Sequence, residues 1–310
     1  MKQIQFNIKL VIICLLLISI RTLNAQPQSL AVMRNHSNIA DEKSINWVKA
    51  GVAGSVIMAA NIGLWIHYNN NWYTDSQSKF HFKDDWYDYN LNMDKVGHVF
   101  TGMFLTQNYY KLLRGGNFSH YQSIWISSGL TFAQLFQIEL FDAFDKKYGA
   151  SWGDIGSNTL GILCGVLQLN YRSANMINLK LSHDINHISF SSDVHDEVIT
   201  DYSKRTFWLT FHYDELLPES IRNIHPDWLG IALGYGTSEV FKDGRYNMDS
   251  KGKGLGKQNF YLALDIDLNR LFKPEPETFF WHLFDFIGYI HIPMPTIELT
   301  PKMKFHALYF

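Results

Sequence analysis

Residues 45–66 carry a single charged side chain, Lys49, with Trp47 and Trp65 near the two ends of the run. That pattern fits a membrane span flanked by aromatic residues. It fits a buried core helix equally well, since Ala50, Gly51, Ala53, Gly54, Ala59 and Ala60 would let neighbours approach closely. Asn69-Asn70-Asn71 end this helix, and an aromatic, acidic connection follows over 72–92, with Trp72, Phe80, Phe82, Trp86, Tyr87 and Tyr89. A second helix is predicted over 93–113, stopping at Gly115-Gly116, and a third over 119–144, apolar except for Glu139 and Asp142 near its end. Lys146 and Lys147 suit the C-terminal end of that helix dipole. Ser151 is the expected N-cap of a fourth helix reaching residue 169. Residues 44–172 therefore read as a four-helix unit.

The pattern changes after Tyr171. Over 260–268 every even position is large and apolar while the odd positions vary, which is the alternation of a half-buried strand. Segments 207–212, 229–235, 287–292 and 304–310 are weaker strand candidates. Gly252, Gly254 and Gly256 sit in a Lys-rich stretch without a strand before and a helix after, so they predict a loop rather than a phosphate cradle. Pro293, Pro295 and Pro301 bracket short extended pieces. The chain ends on the aromatic Phe310, as outer-membrane barrels often do, but 304–310 alternates poorly and the strands are too few for a closed eight-stranded barrel. The expected fold is α+β: an N-terminal four-helix bundle, in a membrane or in water, followed by a smaller β-rich region over 173–310 that packs on the bundle or on a membrane surface.

The ends and the charge refine this picture. Lys2 and Lys9, an apolar run over 10–20 and Leu23-Asn24-Ala25 form a secretory signal over 1–25, cleaved before Gln26, and a polar tether follows over 26–43. Cys14, between Ile13 and Leu15, lacks the small-residue surroundings of a lipid-attachment site. Cleavage would take three of the 27 basic residues (Lys2, Lys9 and Arg21) and none of the 29 acidic ones, leaving a net charge of −5 and excluding a nucleic-acid footprint. It would also leave one cysteine, Cys164, so no intramolecular disulfide can form. Aromatics at 15% imply much buried or interfacial surface. The expected location is the periplasm or a membrane of a bacterial cell envelope, with membrane or envelope components as partners and neither nucleic acid nor nucleotide.

Three polar clusters interrupt the apolar helices: Asp94-Lys95-x-x-His98, Glu139-x-x-Asp142, and Asp154-x-x-x-Asn158-x-x-Gly161-x-x-x-Gly165. Spacings of three and four put each cluster on one helix face. A carboxylate one turn from a histidine fixes its tautomer, the pairing used in acid–base catalysis, although Asp94 also suits a helix N-terminus. Two carboxylates three apart repel and want a cation, a shared proton or a neighbour such as Lys95 or His98. The Glu-x-x-His pairs of di-metal bundles are absent, and salt bridging to Lys95 or Lys146 is the expected neutraliser, so neither metal nor cofactor is predicted. Asp154 suits the first turn of its helix, and Gly161 and Gly165 predict a close helix crossing that aims Asp154 and Asn158 inward.

In order and spacing, these clusters with Ser151 and Trp152 resemble the YfiM-like family of predicted periplasmic lipoproteins, a domain of unknown function. The resemblance covers residues 93–169 and carries Asp94, Lys95, His98, Glu139, Asp142, Ser151, Trp152, Asp154 and Gly161. Residues 261–268 and 295–298 also look like those of long family members. Without a lipid-attachment cysteine, the lipoprotein label does not carry over. A more distant similarity to VanZ-like membrane proteins implies a membrane-embedded bundle. The elements of phosphatidic-acid phosphatases, Arg-Pro and Ser-Gly-His, are absent.

Three functions remain in view. The first is a non-catalytic envelope protein whose buried network fixes bundle geometry. The second is an envelope enzyme on a lipid-linked or cell-wall substrate, with His98 as acid–base, Asp94 orienting it, and Glu139 with Asp154 positioning a cation or water. The third is a lipid or envelope-polymer binding module using the 72–92 connection.

Overall fold

The computed structural model describes residues 44–71, 77–184, 202–242, 245–276 and 278–309; the expected signal and tether lie outside them. Four long helices come first: α1 Trp47–Asn71, α2 Met93–Gly115, α3 His120–Asp142 and α4 Trp152–Asn170. Local chemistry sets where they start. Ser119 accepts from the Gln122 amide while the Gln122 side chain accepts from the Ser119 amide, a reciprocal capping box at α3. Ser151 caps α4 by accepting from the Asp154 amide.

Helix α2 is the central member, packing on α3, α4 and α1. Its seam with α4 is made of small residues. A Cβ built on Gly102 would lie 2.7 Å from the Asn158 carbonyl oxygen, one on Gly161 would overlap the Val99 carbonyl, and one on Gly165 would meet Thr106 at 3.2 Å. Backbone therefore rests on backbone, as in membrane helix pairs. Helix α1 packs mainly on α2, with the Asn46 amide donating to the Gly116 carbonyl at one end, and at the other its Trp65 and Tyr68 line a shallow pocket with Gln134 and Phe141 of α3. The interior between these helices mixes apolar side chains such as Met103, Tyr110, Leu113 and Leu135 with small polar ones, Thr106, Ser123, Ser127 and Thr131 being fully buried and Tyr109 bonded to Gln134. The exterior is markedly apolar, with Met58, Ile62, Trp125, Phe132, Phe136, Leu160, Leu163 and Leu167 exposed.

The C-terminal half is an antiparallel six-stranded sheet in the order β1-β2-β3-β6-β7-β8. Its strands are β1 Ile177–His183, β2 Arg205–Phe211, β3 Leu229–Ser238, β6 Lys257–Ile266, β7 Met294–Glu298 and β8 Lys304–Tyr309, while β4 Phe241–Lys242 and β5 Arg245–Tyr246 form a separate small hairpin. Short helices α5 Glu219–Arg222, α6 Leu268–Phe272 and α7 Phe279–Ile287 connect them. The expected strand at 287–292 is not one. Thr278 caps α7, Ile287 closes it, and the following turn meets β1 at the isolated Leu181–Ile290 bridge. The neighbouring β7, with β1, are the strands of the main sheet that the sequence pattern missed, and the short β4 and β5 were missed as well. The glycines at 252, 254 and 256 do lie in loop structure before β6.

The alternation in β6 puts its large apolar side chains on the exposed face. Phe260, Leu262 and Leu264 are exposed, whereas Asn259, Tyr261, Ala263 and Asp265 are buried. Neighbouring strands agree: Leu209, Leu233, Ile297, Phe305 and Leu308 face outward, and Lys180, Ser182, Thr206, Trp208 and Thr296 face inward. Inside, Lys180 and His212 each reach an Asp265 oxygen at 2.8 Å, and the Trp208 ring stacks on His291 at 4.0 Å. The sheet meets the bundle along α2, where Phe100 packs on Phe207, Phe104 on Tyr289, and Lys111 pairs with Asp285 at 2.5 Å.

The α2–α4 seam makes a sharp prediction. Gly161→Ala should lower stability by more than about 2 kcal/mol in thermal unfolding, because its Cβ must displace backbone. Gly156→Ala, on the same helix but with nothing within 4 Å, should be neutral or stabilising by up to about 1 kcal/mol. Equal effects from the two would mean that the seam is not tightly closed.

Candidate functional site

The starts of α2 and α4 and the end of α3 meet at one end of the bundle, and there the polar clusters converge. Lys95, 5% exposed, places its ammonium 2.5 Å from Asp85 Oδ2, 2.7 Å from Asp154 Oδ1 and 3.2 Å from Asp94 Oδ2. Its three protons thus have three carboxylates to serve. His98 turns Nδ1 to Asn158 Oδ1 at 2.9 Å and Nε2 to Asp154 Oδ1 at 3.3 Å and Asp94 Oδ1 at 3.5 Å. Ser151 binds the parts together: its amide donates to Glu139 Oε2, its hydroxyl donates to Asp85 Oδ1 at 2.6 Å, and the same oxygen caps α4. Glu139 and Asn158 are each 2% exposed.

The cluster is closely packed on its inner side. A Cβ on Gly153 would lie 2.9 Å from Lys95 Cε and 3.2 Å from the Trp86 ring. Asp94, His98 and Asp85 keep 17–23% of their side chains accessible, so the open side is theirs. Tyr202 donates to Asp94 Oδ1 at 3.2 Å. Burial, then the adjacent Asp94 charge, push the Tyr202 phenol well above its ordinary range, which keeps it a neutral donor.

Of the residues singled out in the sequence, Asp94, Lys95, His98, Glu139, Ser151, Asp154 and Asn158 come together, with Gly161 forming the crossing behind them. Two do not join. Trp152 is 69% exposed and stacks on Phe82 at 4.8 Å, because two residues of helix separate it from Asp154 by about 200° of rotation. Asp142 ends α3 beyond the level of the cluster, its charge felt by Tyr68 and Tyr148 instead. Asp85 and Tyr202 were missed. Asp85 lies in the aromatic connection, where no helical spacing marks it; only the acidic pair Asp84-Asp85 beside Trp86 hinted at it.

The frame from the connection through α4 is also where a known family fits. Residues 81–170 match the model of a family described as predicted periplasmic lipoprotein (DUF2279). The match supports an uncharacterised periplasmic family and spans every residue of the cluster except Tyr202. No curated protein and no solved structure matches the chain. Cys14, where the lipid-anchor question would be decided, lies outside the described residues.

Removing the central cation tests the cluster. Lys95→Met leaves three carboxylates around an apolar side chain and should cost about 3–5 kcal/mol in denaturant unfolding. Adding Asp154→Asn to Lys95→Met should recover part of that loss, because one uncompensated charge disappears with it. A loss below about 1 kcal/mol for the single variant would place the cluster in a solvent-screened setting.

Proposed function

We propose that this protein is a membrane-embedded envelope protein without catalytic chemistry, in which the charged cluster clamps the helix bundle at the membrane interface. The observation that carries this reading is the apolar exterior of the bundle and the sheet alike, around an interior that mixes apolar side chains such as Met103, Tyr110, Leu135 and Trp208 with many buried polar and charged ones. Such an exterior is costly in water and suits acyl chains. Among the described residues Trp47–Ile66 is the one helix long and apolar enough by itself to cross a membrane, and only 6% of that stretch is buried.

Aromatic residues support the same placement. Trp47, Tyr121, Trp125 and Tyr171 are exposed at one end of the bundle, and Trp65, Phe82, Phe144 and Trp152 at the other. The nineteen steps from Trp152 to Tyr171 rise about 28 Å along α4, close to the roughly 30 Å of a bilayer hydrocarbon core. Aromatic girdles at that separation are the interfacial anchors of membrane proteins. The charged cluster lies level with the Trp152 girdle, where water reaches the Asp94 side. The clamp reading follows from its connectivity, since Asp85, Lys95, Glu139, Ser151 and Asp154 join the connection and three helices while close packing fills the inner side.

Leu163, outward on the middle of α4 and 53% exposed, separates lipid from water as surroundings. Leu163→Lys should reduce membrane insertion by about 2.5–3.5 kcal/mol, read from the fraction recovered with membranes after alkaline washing. A variant that leaves recovery unchanged, or a wild-type chain released by the wash, overturns the membrane placement. For the clamp, His98→Gln and Glu139→Gln should lower thermal stability while the envelope phenotype follows only the amount of folded protein; a phenotype lost at full stability points to chemistry instead.

A further inference from the structure

The acids of the cluster outnumber its cations, and their geometry shows where the imbalance falls. Asp85, Asp94, Glu139 and Asp154 face one ammonium, Lys95, whose protons go to the three aspartates. Glu139 gets none of them. Its Oε2 accepts from the Ser151 amide, while its Oε1 is buried without a partner, and the charges around it are those of His98, Asp94 and Lys95.

His98 defines the gap. The Asn158 side-chain oxygen facing Nδ1 can only accept, so Nδ1 carries a proton, and Nε2 holds either a second proton shared with the flanking carboxylates or a lone pair open to a cation. Nε2 faces two carboxylate oxygens, and one ligand atom from each of the three residues lies within 4.8 Å of the others. Besides the Lys95 ammonium on Asp154, such a group calls for a positive charge of its own, either a second proton on Nε2 or a bound cation. The Nε2 separations of 3.3 Å and 3.5 Å are long for a charge-assisted hydrogen bond, which runs at about 2.7–2.9 Å. They match the edge of a tetrahedron whose centre lies about 2.0–2.1 Å from each corner, roughly 3.4 Å. A side-chain oxygen holding the other ring nitrogen of the histidine is also the usual support of a metal-bound imidazole.

We propose that Asp94, His98 and Asp154 bind one divalent cation of the zinc or manganese type, with the partnerless Glu139 oxygen compensating its charge from the buried side. One imidazole and two carboxylates suit a borderline or hard metal rather than a soft one. With every acid ionised and His98 neutral the cluster would be three charges negative, and a divalent ion would take the place of the protons that otherwise offset that charge. The ion joins the first turns of α2 and α4, on opposite sides of the glycine seam. Its role as a staple rests on the clamp reading; its binding does not.

The test uses the full chain in detergent, stripped with a chelator and then titrated separately with Zn²⁺ and Mn²⁺. Elemental analysis after gel filtration should find one equivalent of one of these metals per chain, with a raised Tm. Asp94→Asn and His98→Gln should each weaken binding at least tenfold. Should these variants fail to fold, the visible absorption of Co²⁺ in the wild-type chain, expected to report a nitrogen and oxygen ligand set, decides in their place. A wild-type chain that retains no metal and shows no Tm change overturns the proposal, with a proton on Nε2 as the positive charge instead. Variants that bind as well as wild type overturn it too. Binding with an unchanged Tm upholds the site and removes only the ion's role as a staple.

Discussion

Lys95 is the interaction on which the rest depends. An ammonium buried among three carboxylates is stable only while all of them stay in place, so each partner constrains the others. Asp94 and Lys95 come from the first turn of α2, Asp154 from the first turn of α4, and Asp85 from the connection that precedes α2. Ser151 then couples these to the end of α3 through Glu139. The relative height of three helices and the path of one loop are therefore set by a handful of polar atoms.

The glycine seam and the charge cluster divide the work between them. Along the seam, Gly102 and Gly161 let α2 and α4 approach until backbone meets backbone, which gives contact but little directional preference. The cluster supplies the direction, because its hydrogen bonds exist at only one register of α2 against α4. Neither would serve alone. The sheet is attached to the outer side of α2 through aromatic contacts and the Lys111–Asp285 pair, so it inherits the same register.

Much of this was legible in the sequence, and what was not has physical reasons. The four helices could be read because long apolar runs end at Asn, Gly and Ser, and Ser119 and Ser151 are strong caps. The spacing of three and four that assigned Asp94 with His98, and Asp154 with Asn158, to common faces is a property of the helix itself. Asp85 could not be placed, since a loop has no period. Trp152 was grouped with its sequence neighbours although helix geometry turns it away. The strand at 294–298 was obscured by Pro293 and Pro295, while 287–292 mixed a helix end with one strand-like bridge. In β6 the alternation was visible but its sense was not, because a period of two is the same whether the apolar side faces in or out.

That outward-facing apolar side has a consequence for how such a chain can drift. At Phe260, Leu262 and Leu163 the side chain has few protein neighbours, and any apolar residue of modest size would serve. At Lys95, Ser151, Asn158 and Gly161 almost no replacement fits, because each meets specific hydrogen-bonding atoms or a backbone surface. The information that defines the fold is thus denser at these polar and glycine positions than on the oily exterior. Descendants of one ancestor could exchange most of their apolar residues and still share this body, recognisable only by a sparse signature of charges, hydroxyls and glycines.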